Sequence, residues 1–174
     1  AKKKNKRDIR KKKWKRYERR HSLTAVHIDW HYFKGIWVFS VEDDASRKLL
    51  ALIESKNEST DNSILGMELA LKHGHIKQCI SDHGSTFTSN FVDAKSRFRD
   101  YLKSKGIKPI LCRIRHPRSN GKVERFFQTY DRNRTAFKTK EEFMYWYNDL
   151  KPHRALNFDE LETPSQAFIR KLRK

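Results

Sequence analysis

Three acidic residues lie where separate predicted elements begin or end, and their chemistry suits a divalent cation. Asp29 closes an alternating run, Asp82 follows an apolar run, and Glu124 lies in the first turn of a predicted helix. Carboxylate oxygens are the hard ligands that Mg²⁺ and Mn²⁺ prefer. The basic residues that flank Glu124 are Arg113, Arg115, His116, Arg118, Lys122 and Arg125. An acid in such surroundings is suited to holding a cation against a polyanion.

Glu124 also has an ordinary explanation. A glutamate in the first turn of a helix is favoured by the positive end of the helix dipole, and this requires no ligand. The surrounding bases and the two earlier acids favour a site over this explanation. The spacings are 53 residues from Asp29 to Asp82 (82 − 29) and 42 residues from Asp82 to Glu124 (124 − 82). The fold must therefore bring the three acids together from distant parts of the chain.

The strands that would position two of these acids follow from the apolar pattern. Apolar runs predict five strands, at residues 24–30, 35–41, 49–54, 77–81 and 107–112. The first three follow one another over short polar connections, which predicts an antiparallel meander. Asp43 and Asp44, between the second and third strands, are interpreted as turn residues rather than as a metal pair. Asp29 therefore lies in the first strand, and Asp82 lies just past the fourth.

Helical spacing accounts for most of the remaining apolar residues. One helix is predicted over residues 61–74, and a second from a cap at Thr88 or Ser89 to Gly106. Ser119 or Asn120 would cap the Glu124 helix. The apolar face of that helix consists of Val123, Phe127 and Tyr130.

Two capping boxes predict the C-terminal helices. One opens at Thr139, and the second opens at Thr163 with Pro164 at the first helical position. The expected apolar faces are Phe143, Trp146, Tyr147 and Leu150 in the first helix, and Ala167, Phe168 and Leu172 in the second. The first helix is predicted to pack on the core, and the second is predicted to have one apolar side.

The charge of the chain points to a polyanionic partner. Its 174 residues include 40 Lys and Arg against 21 Asp and Glu, a net charge of +19, and the pI is about 10.1. Nucleic acid is the usual partner of such a protein. No apolar run reaches the roughly 18 residues of a membrane-spanning helix, and the basic head lacks the apolar stretch of a signal peptide. We therefore expect a soluble, cytoplasmic protein with one hydrophobic core and no membrane partner.

The two cysteines lie in apolar, strand-like runs. Cys79 and Cys112 are therefore predicted to be buried free thiols. The absence of any Cys-x-x-Cys excludes a zinc ribbon, and His73 and His75 near Cys79 form too incomplete a ligand set for a metal site.

Four blocks of sequence carry a resemblance to a known family. They are His27-Ile28-Asp29-Trp30, Ser81-Asp82-His83-Gly84-Ser85-Thr86-Phe87, His116-Pro117-Arg118-Ser119-Asn120-Gly121-Lys122-Val123-Glu124-Arg125 and Tyr147-Asn148-Asp149-Leu150-Lys151-Pro152-His153-Arg154-Ala155-Leu156. With Thr163-Pro164 they cover the chain from about Thr24 to its end. In these blocks the chain resembles the catalytic core of retroviral-type integrases and DDE transposases. One departure is His31, where the family usually has a threonine after Asp-Trp.

The resemblance implies an α/β protein of the ribonuclease H-like fold, with a five-stranded mixed sheet flanked by helices. It implies that Asp29, Asp82 and Glu124 are catalytic and hold two Mg²⁺ or Mn²⁺ ions. Asp29 and Asp82 would hold one ion, and Asp29 and Glu124 the other. The implied activity is metal-dependent cleavage of phosphodiester bonds and DNA strand transfer, in DNA integration and recombination. The implied partners are DNA, as element ends and target, and further copies of the chain assembled on DNA.

The resemblance and the basic charge together suggest where DNA would be held. The expected DNA-binding residues are Lys11, Lys12, Lys13, Arg115, Arg118, Asn120, Lys122, Arg125, Gln128, Arg132, His153 and Arg154. A solvated helix face is an equal alternative for Gln128 and Arg132, and a polar turn is one for His153 and Arg154. Residues 1–22 are expected to form a basic head or linker, the remnant of a longer transposase. Residues 23–174 would form the catalytic core with its C-terminal helices.

Three classes of function remain open on the sequence. The first is an active integrase or transposase core, the second a catalytically silent, domesticated DNA-binding protein, and the third another ribonuclease H-like nuclease such as a junction resolvase. The intact acids disfavour the second, and the third usually relies on four acids in a different arrangement. The blocks around Glu124 and Tyr147 favour the first.

Overall fold

One mixed five-stranded sheet organises the chain. The computed structural model describes residues 19–82, 87, 96–112 and 121–173. The strands are β1 (Val26–Phe33), β2 (Ile36–Asp43), β3 (Leu49–Ser55), β4 (Gln78–Ser81) and β5 (Lys108–Leu111). Their order in the sheet is β3-β2-β1-β4-β5. β1, β2 and β3 form the antiparallel meander, while β4 runs parallel to β1 and β5 parallel to β4. The five predicted strands and the α/β class are thereby confirmed.

Helices cover both faces of the sheet. They are α1 (Thr60–Leu71), α2 (Arg97–Ser104), α3 (Gly121–Asn133), α4 (Lys140–Tyr145), which continues as a π-helix over Trp146–Leu150, and α5 (Pro164–Arg170). Short 3₁₀ turns lie at Arg134–Ala136 and Phe158–Glu160. In the described part of the chain, no helix is long and apolar enough to cross a bilayer.

Alternation along β1 and β2 divides the core into two layers. Val26 and Ile28 of β1 and Phe39 of β2 face the layer that contains α1 and α2. The other face of the sheet packs against α3 and α4, whose central side chains are Phe126, Tyr130, Phe143 and Tyr147. Gly66 lets α1 approach β2 closely, since a Cβ there would lie 2.5 Å from Cε1 of Phe39. His27 and Asp29 alternate with Val26 and Ile28, so they face the α3 layer.

The prediction for the second helix was wrong at its start. Ser96 has an extended backbone (φ −80°, ψ 111°), and its hydroxyl accepts a hydrogen bond from the amide of Arg99. That geometry is an N-cap, so α2 begins at Arg97 and a single helix from Thr88 or Ser89 is excluded. Phe98 and Leu102 are buried as expected. Residues 88–95 lie outside the described residues.

The C-terminal helices follow their predicted caps, with two differences on their apolar faces. Thr163 and Gln166 form the complete capping box, with Pro164 at the start of α5. Leu150 was predicted to pack on the core and is instead 56% exposed, and Leu172, assigned to the apolar side of α5, is 39% exposed. For Leu150 the reason is the π-helix, because its wider turn rotates the residue away from the face that Phe143 and Tyr147 share.

Candidate active site

The register of β1 and β4 places Asp29 beside Asp82. The parallel pair aligns Val26 with Cys79 and His27 with Ile80. Both acids lie three residues past the first pair (29 − 26 = 3 and 82 − 79 = 3), so the continued register sets them opposite each other. Neighbouring strands are about 4.8 Å apart, and aligned residues of parallel strands point to the same face. The two carboxylates therefore share the α3 face at one end of the sheet.

The same argument extends to Cys112 on the next strand. Ser81 is aligned with Leu111, and the amide of Cys112 donates a 2.8 Å hydrogen bond to the carbonyl of Ser81. Continued by one residue, this register places Cys112 beside Asp82. Burial raises the pKa of its half-buried thiol to about 11, with contributions from the negative charges of Asp82, Asp29 and Glu124, in that order. All three acids therefore lie within electrostatic range of one thiol.

Packing of α3 along β1 explains how Glu124 reaches this end of the sheet. The rings of Phe33 and Tyr130 are 5.2 Å apart, and those of His31 and Phe127 are stacked at 4.6 Å. Phe33 and His31 are two residues apart on β1, and their partners Tyr130 and Phe127 are three residues apart on α3. One further step of this kind along both elements pairs Asp29 with Glu124. The helix therefore delivers Glu124 over the strand that carries Asp29.

His31 adds a polar contact to this packing. Its Nε2 lies 2.7 Å from Oδ1 of Asp131 on α3. The carboxylate of Asp131 therefore has an intramolecular partner on β1. His31, which departs from the family pattern, therefore makes a contact between β1 and α3.

The charges of the three carboxylates all act on Cys112, but the three groups do not lie at ligand distance from a common point. Within residues 19–82, 87, 96–112 and 121–173, no three His, Cys, Asp or Glu side chains lie close enough together to hold a metal ion as they stand. Oδ1 of Asp29 accepts a 2.9 Å hydrogen bond from the amide of Trp30. Three hard oxygen donors on one face nevertheless form a set that suits Mg²⁺ or Mn²⁺.

A fourth acid near the site was not identified from the sequence. Burial raises the pKa of Glu58, and the negative charge of Asp82 raises it further. Glu58 lies in the connection between β3 and α1, so its proximity to Asp82 depends on the sheet order. No spacing in the sequence indicates it.

A buried charged cluster lies one step further along the same strand and helix. Oδ1 of Asp44 is 2.6 Å from Nε2 of His27 on β1 and 2.6 Å from Nζ of Lys122 on α3. Asp44 is fully buried. The predicted turn is present, because Asp43 binds the amide and hydroxyl of Ser46. The turn interpretation did not predict the ion pair of Asp44.

The charge states in this cluster follow from burial and pairing. Burial lowers the pKa of His27 although Asp44 opposes this, so the imidazole is neutral at pH 7 and donates from Nε2. Burial alone would raise the pKa of Asp44, but the hydrogen bond from His27 and the charge of Lys122 hold it below its usual range. Burial lowers the pKa of Lys122, and Asp44 opposes this shift. The Asp44–Lys122 contact is therefore an ion pair.

The expected DNA-binding residues fall into three groups. Lys11, Lys12, Lys13, Arg115, Arg118 and Asn120 lie outside the described residues. Arg125, Gln128, Arg132 and Arg154 are exposed, and His153 is half-buried. Lys122 differs from both groups, because its ammonium group is engaged inside the protein with Asp44.

A basic cleft lies near the first residue of β4, at the end opposite to Asp82. It is an open cleft of about 780 Å³ lined by Arg19, Arg20, His21, Arg170, Lys171, Leu172 and Arg173. Arg19 donates to the side chain of Gln78, the first residue of β4, whereas Asp82 follows the last residue. The cleft and the three acids therefore lie at opposite ends of this strand.

Comparison with known proteins agrees with this architecture. The ORF3 protein of Spiroplasma virus SpV1-C74, named as an integrase, is 29% identical to this chain over 178 aligned residues that include 85% of it. The chain spans about half (49%) of that protein's length. The catalytic core domain of BIV integrase is 15% identical, with a TM-score of 0.65 over 84% of this chain and 94% of that one. The catalytic core of HTLV-2 integrase, solved with magnesium in a dimeric form, is 16% identical, with a TM-score of 0.65 over 85% and 97%.

These structural similarities confirm the ribonuclease H-like fold that the sequence resemblance implied. The family model described as the integrase core domain matches residues 19–117, more than half of the 174 residues. The match contains Asp29 and Asp82 and ends before Glu124. The chain belongs to the integrase core domain family.

Proposed function

We propose that the chain is the catalytic core of a DNA integrase or transposase, which cuts and rejoins phosphodiester bonds. The observation that carries the proposal is that three carboxylates, from β1, the end of β4 and α3, all act electrostatically on the thiol of Cys112. Membership of the integrase core domain family and the net charge of +19 support it.

Mg²⁺ or Mn²⁺ would be held by Asp29 with Asp82 and by Asp29 with Glu124. Asp29 suits the shared position because its strand neighbours the end of β4 on one side and lies under α3 on the other. When bound, two such ions neutralise charge on the reacting phosphate and make a water molecule a better nucleophile. The HTLV-2 integrase core, solved in complex with magnesium, supports the choice of a divalent metal.

The proposed reaction has two steps with the same in-line geometry. In the first, the oxygen of a water molecule bonds to a phosphorus atom near the DNA end. The bond to the 3′ oxygen breaks, leaving a free 3′ hydroxyl. In the second, that hydroxyl bonds to a phosphorus of the target strand, and the target's own 3′ oxygen leaves. Each step exchanges one phosphorus–oxygen bond for another. The nucleophile gives up a proton to solvent, and the departing 3′ oxygen takes one up from solvent.

DNA would lie across the three acids, with its phosphates held by bases on neighbouring elements. Arg125 and Arg132 are exposed on α3, and Arg154 is exposed after the π-helix. We also propose that copies of the chain assemble on DNA. The dimeric form of the HTLV-2 integrase core supports this part of the proposal.

Neutral variants of two acids test the proposal. Asp82→Asn and Glu124→Gln keep the size of each side chain and remove its charge. Each is expected to abolish the cleavage and joining of a preformed branched DNA in Mg²⁺ or Mn²⁺. DNA affinity should stay equal or rise, because a negative charge near the phosphates is lost. Asp159→Asn, an exposed change in the 3₁₀ turn Phe158–Glu160, serves as the control and should retain wild-type activity.

The same assay identifies the main alternative. If the wild-type protein and both variants bind the branched DNA equally and none reacts with either metal, the enzyme hypothesis is wrong. The domesticated DNA-binding protein would then be the better description.

A further inference from the structure

Asp44 connects the two elements that carry Asp29 and Glu124. Its Oδ1 accepts from Nε2 of His27 and from Nζ of Lys122, each at 2.6 Å. Its Oδ2 accepts from the amide of Arg19 at 2.8 Å. Nζ of Lys122 also lies 3.4 Å from the backbone carbonyl of Asp44. One fully buried carboxylate thus holds a strand and a helix at the same time.

The two partners of Oδ1 have matching positions on their elements. His27 precedes Asp29 by two residues on β1, and Lys122 precedes Glu124 by two residues in the first turn of α3. His27 and Asp29 point to the same face of the sheet because side chains alternate along a strand. The contact through Asp44 therefore fixes α3 against β1 right beside the proposed site.

This contact continues the series of contacts along the two elements. Phe33 packs with Tyr130 and His31 with Phe127, while His27 is joined to the start of α3 through Asp44. The pair Asp29 and Glu124 lies between these fixed points. Packing holds α3 on one side of that pair, and the ion pair holds it on the other.

The energetics favour a role in geometry over one in stability. Burying a carboxylate and an ammonium group costs free energy that their attraction recovers only in part, so apolar residues often replace such pairs without loss of stability. A buried carboxylate with two hydrogen-bonded partners does, however, fix the distance between the two elements that carry those partners. A shift of about 1 Å at a catalytic group can cost about 100-fold in rate.

We propose that Asp44 is a positioning residue that, through His27 and Lys122, fixes the first turn of α3 against β1 and thereby sets the separation of Glu124 from Asp29. The catalytic consequence rests on the proposed function, whereas the effect on α3 does not. Lys122 accordingly acts on Glu124 through the helix and makes no contact with DNA phosphates.

Two variants with opposite changes of charge test the proposal. Lys122→Met removes a positive charge, and Asp44→Asn removes a negative one. If the pair positions Glu124, both variants should lose turnover on branched DNA by about 10- to 100-fold. Both should also need more Mn²⁺ for half-maximal rate, with unchanged DNA affinity. Lys103→Met, an exposed change on α2, should leave all three properties unchanged.

A phosphate contact at Lys122 predicts a different result. Lys122→Met would then weaken DNA binding and reduce the slope of log K against log salt by about 0.9, whereas Asp44→Asn would do neither. That outcome would overturn the proposal.

The double variant Asp44→Asn/Lys122→Met separates positioning from stability. It removes both charges of the pair, so neither is left buried without the other, and it is expected to unfold at a higher temperature than Asp44→Asn alone. Positioning requires that its turnover stays low, no better than that of the single variants. Recovery of wild-type turnover together with stability would show that the pair serves folding only, and the proposal would be wrong.

Hydrogen exchange provides a measurement that is independent of catalysis. The amides of Arg125 to Gln128 bond to carbonyls of the first turn of α3. They should exchange faster in both single variants, while the amides of β2 and β3 keep their wild-type rates. If the wild-type protein is inert with both metals, the proposed function fails, and this measurement still tests the contact. Unchanged exchange in α3 would overturn the proposal whatever the activity.

Discussion

The thiol of Cys112 is expected to report the charges of the three acids directly. Burial raises its pKa to about 11, and the charges of Asp82, Asp29 and Glu124 contribute to this shift. Removing one of these charges must therefore lower the pKa. We predict that Asp82→Asn and Glu124→Gln each move the pH dependence of Cys112 alkylation to lower pH.

For Asp82 the magnitude follows from the spacing of the strands, and the shift for Glu124→Gln should be smaller because the charge of Glu124 contributes least. A charge about 5 Å away in a water-like medium contributes about 0.8 kcal/mol. This corresponds to about 0.6 pKa unit, since one unit is 1.36 kcal/mol. Below the pKa, the thiolate fraction therefore rises about 4-fold. A less basic thiolate is also less nucleophilic, with a Brønsted coefficient of about 0.4–0.5, so the rate itself should rise about twofold.

Alkylation by iodoacetamide, followed by mass spectrometry of the peptide that contains Cys112, measures this shift. Cys79 is 1% exposed, and burial raises its pKa beyond that of Cys112, so it should stay unmodified in the folded protein. Asp159→Asn, far from the thiol in sequence and exposed, should leave the profile unchanged. If the apparent pKa is the same in wild type, Asp82→Asn and Glu124→Gln, the three acids do not surround Cys112, and the proposed site is wrong.

Two further predictions concern stability. Burial raises the pKa of Glu42 from its ordinary 4.5 to about 8, so its favourable contribution is complete below about pH 4.5 and is lost as the pH rises through 8. Glu42→Gln should therefore reduce the fall in unfolding free energy between about pH 5 and 9, measured in urea; the same fall in Glu42→Gln and in the exposed Glu160→Gln would contradict this. Tyr130→Phe removes the 2.6 Å hydrogen bond to Glu54 and should cost about 1.5–3 kcal/mol, a Tm lower by about 3–12 °C. Tyr145→Phe, at a residue 59% exposed, should stay within about 0.5 kcal/mol of wild type, and equal Tm values for the two variants would refute the argument.

The sequence by itself was sufficient for the strands, the fold class and the apolar face of α3. Val26 and Ile28 alternate with His27 and Asp29, and this period of two follows directly from the geometry of a half-buried strand. Val123, Phe127 and Tyr130 recur at helical spacing, and all three are buried. Such patterns are local, because each residue's orientation depends only on its neighbours in the chain.

Element boundaries were less certain where several polar residues compete for a cap. Ser96, rather than Thr88 or Ser89, caps α2. All three are good N-cap residues, and the choice depends on which turn of the helix packs on the sheet. Phe98 and Leu102 make this packing contact although α2 has only two turns.

Only the tertiary structure decided the partners of the charged residues. Lys122 lies in a block full of bases, so its local pattern is that of a phosphate contact, yet its ammonium group is paired with Asp44, 78 residues away. Cys112 lies beside Asp82 because β5 pairs with β4 in one particular register. Charges interact through space, and neither the order of the strands nor the placement of α3 across them is encoded in any local period. The sequence therefore determined the face of β1 to which Asp29 points and the apolar face of α3, while the order of the strands and the packing of α3 on β1 decided which charged residues contact one another.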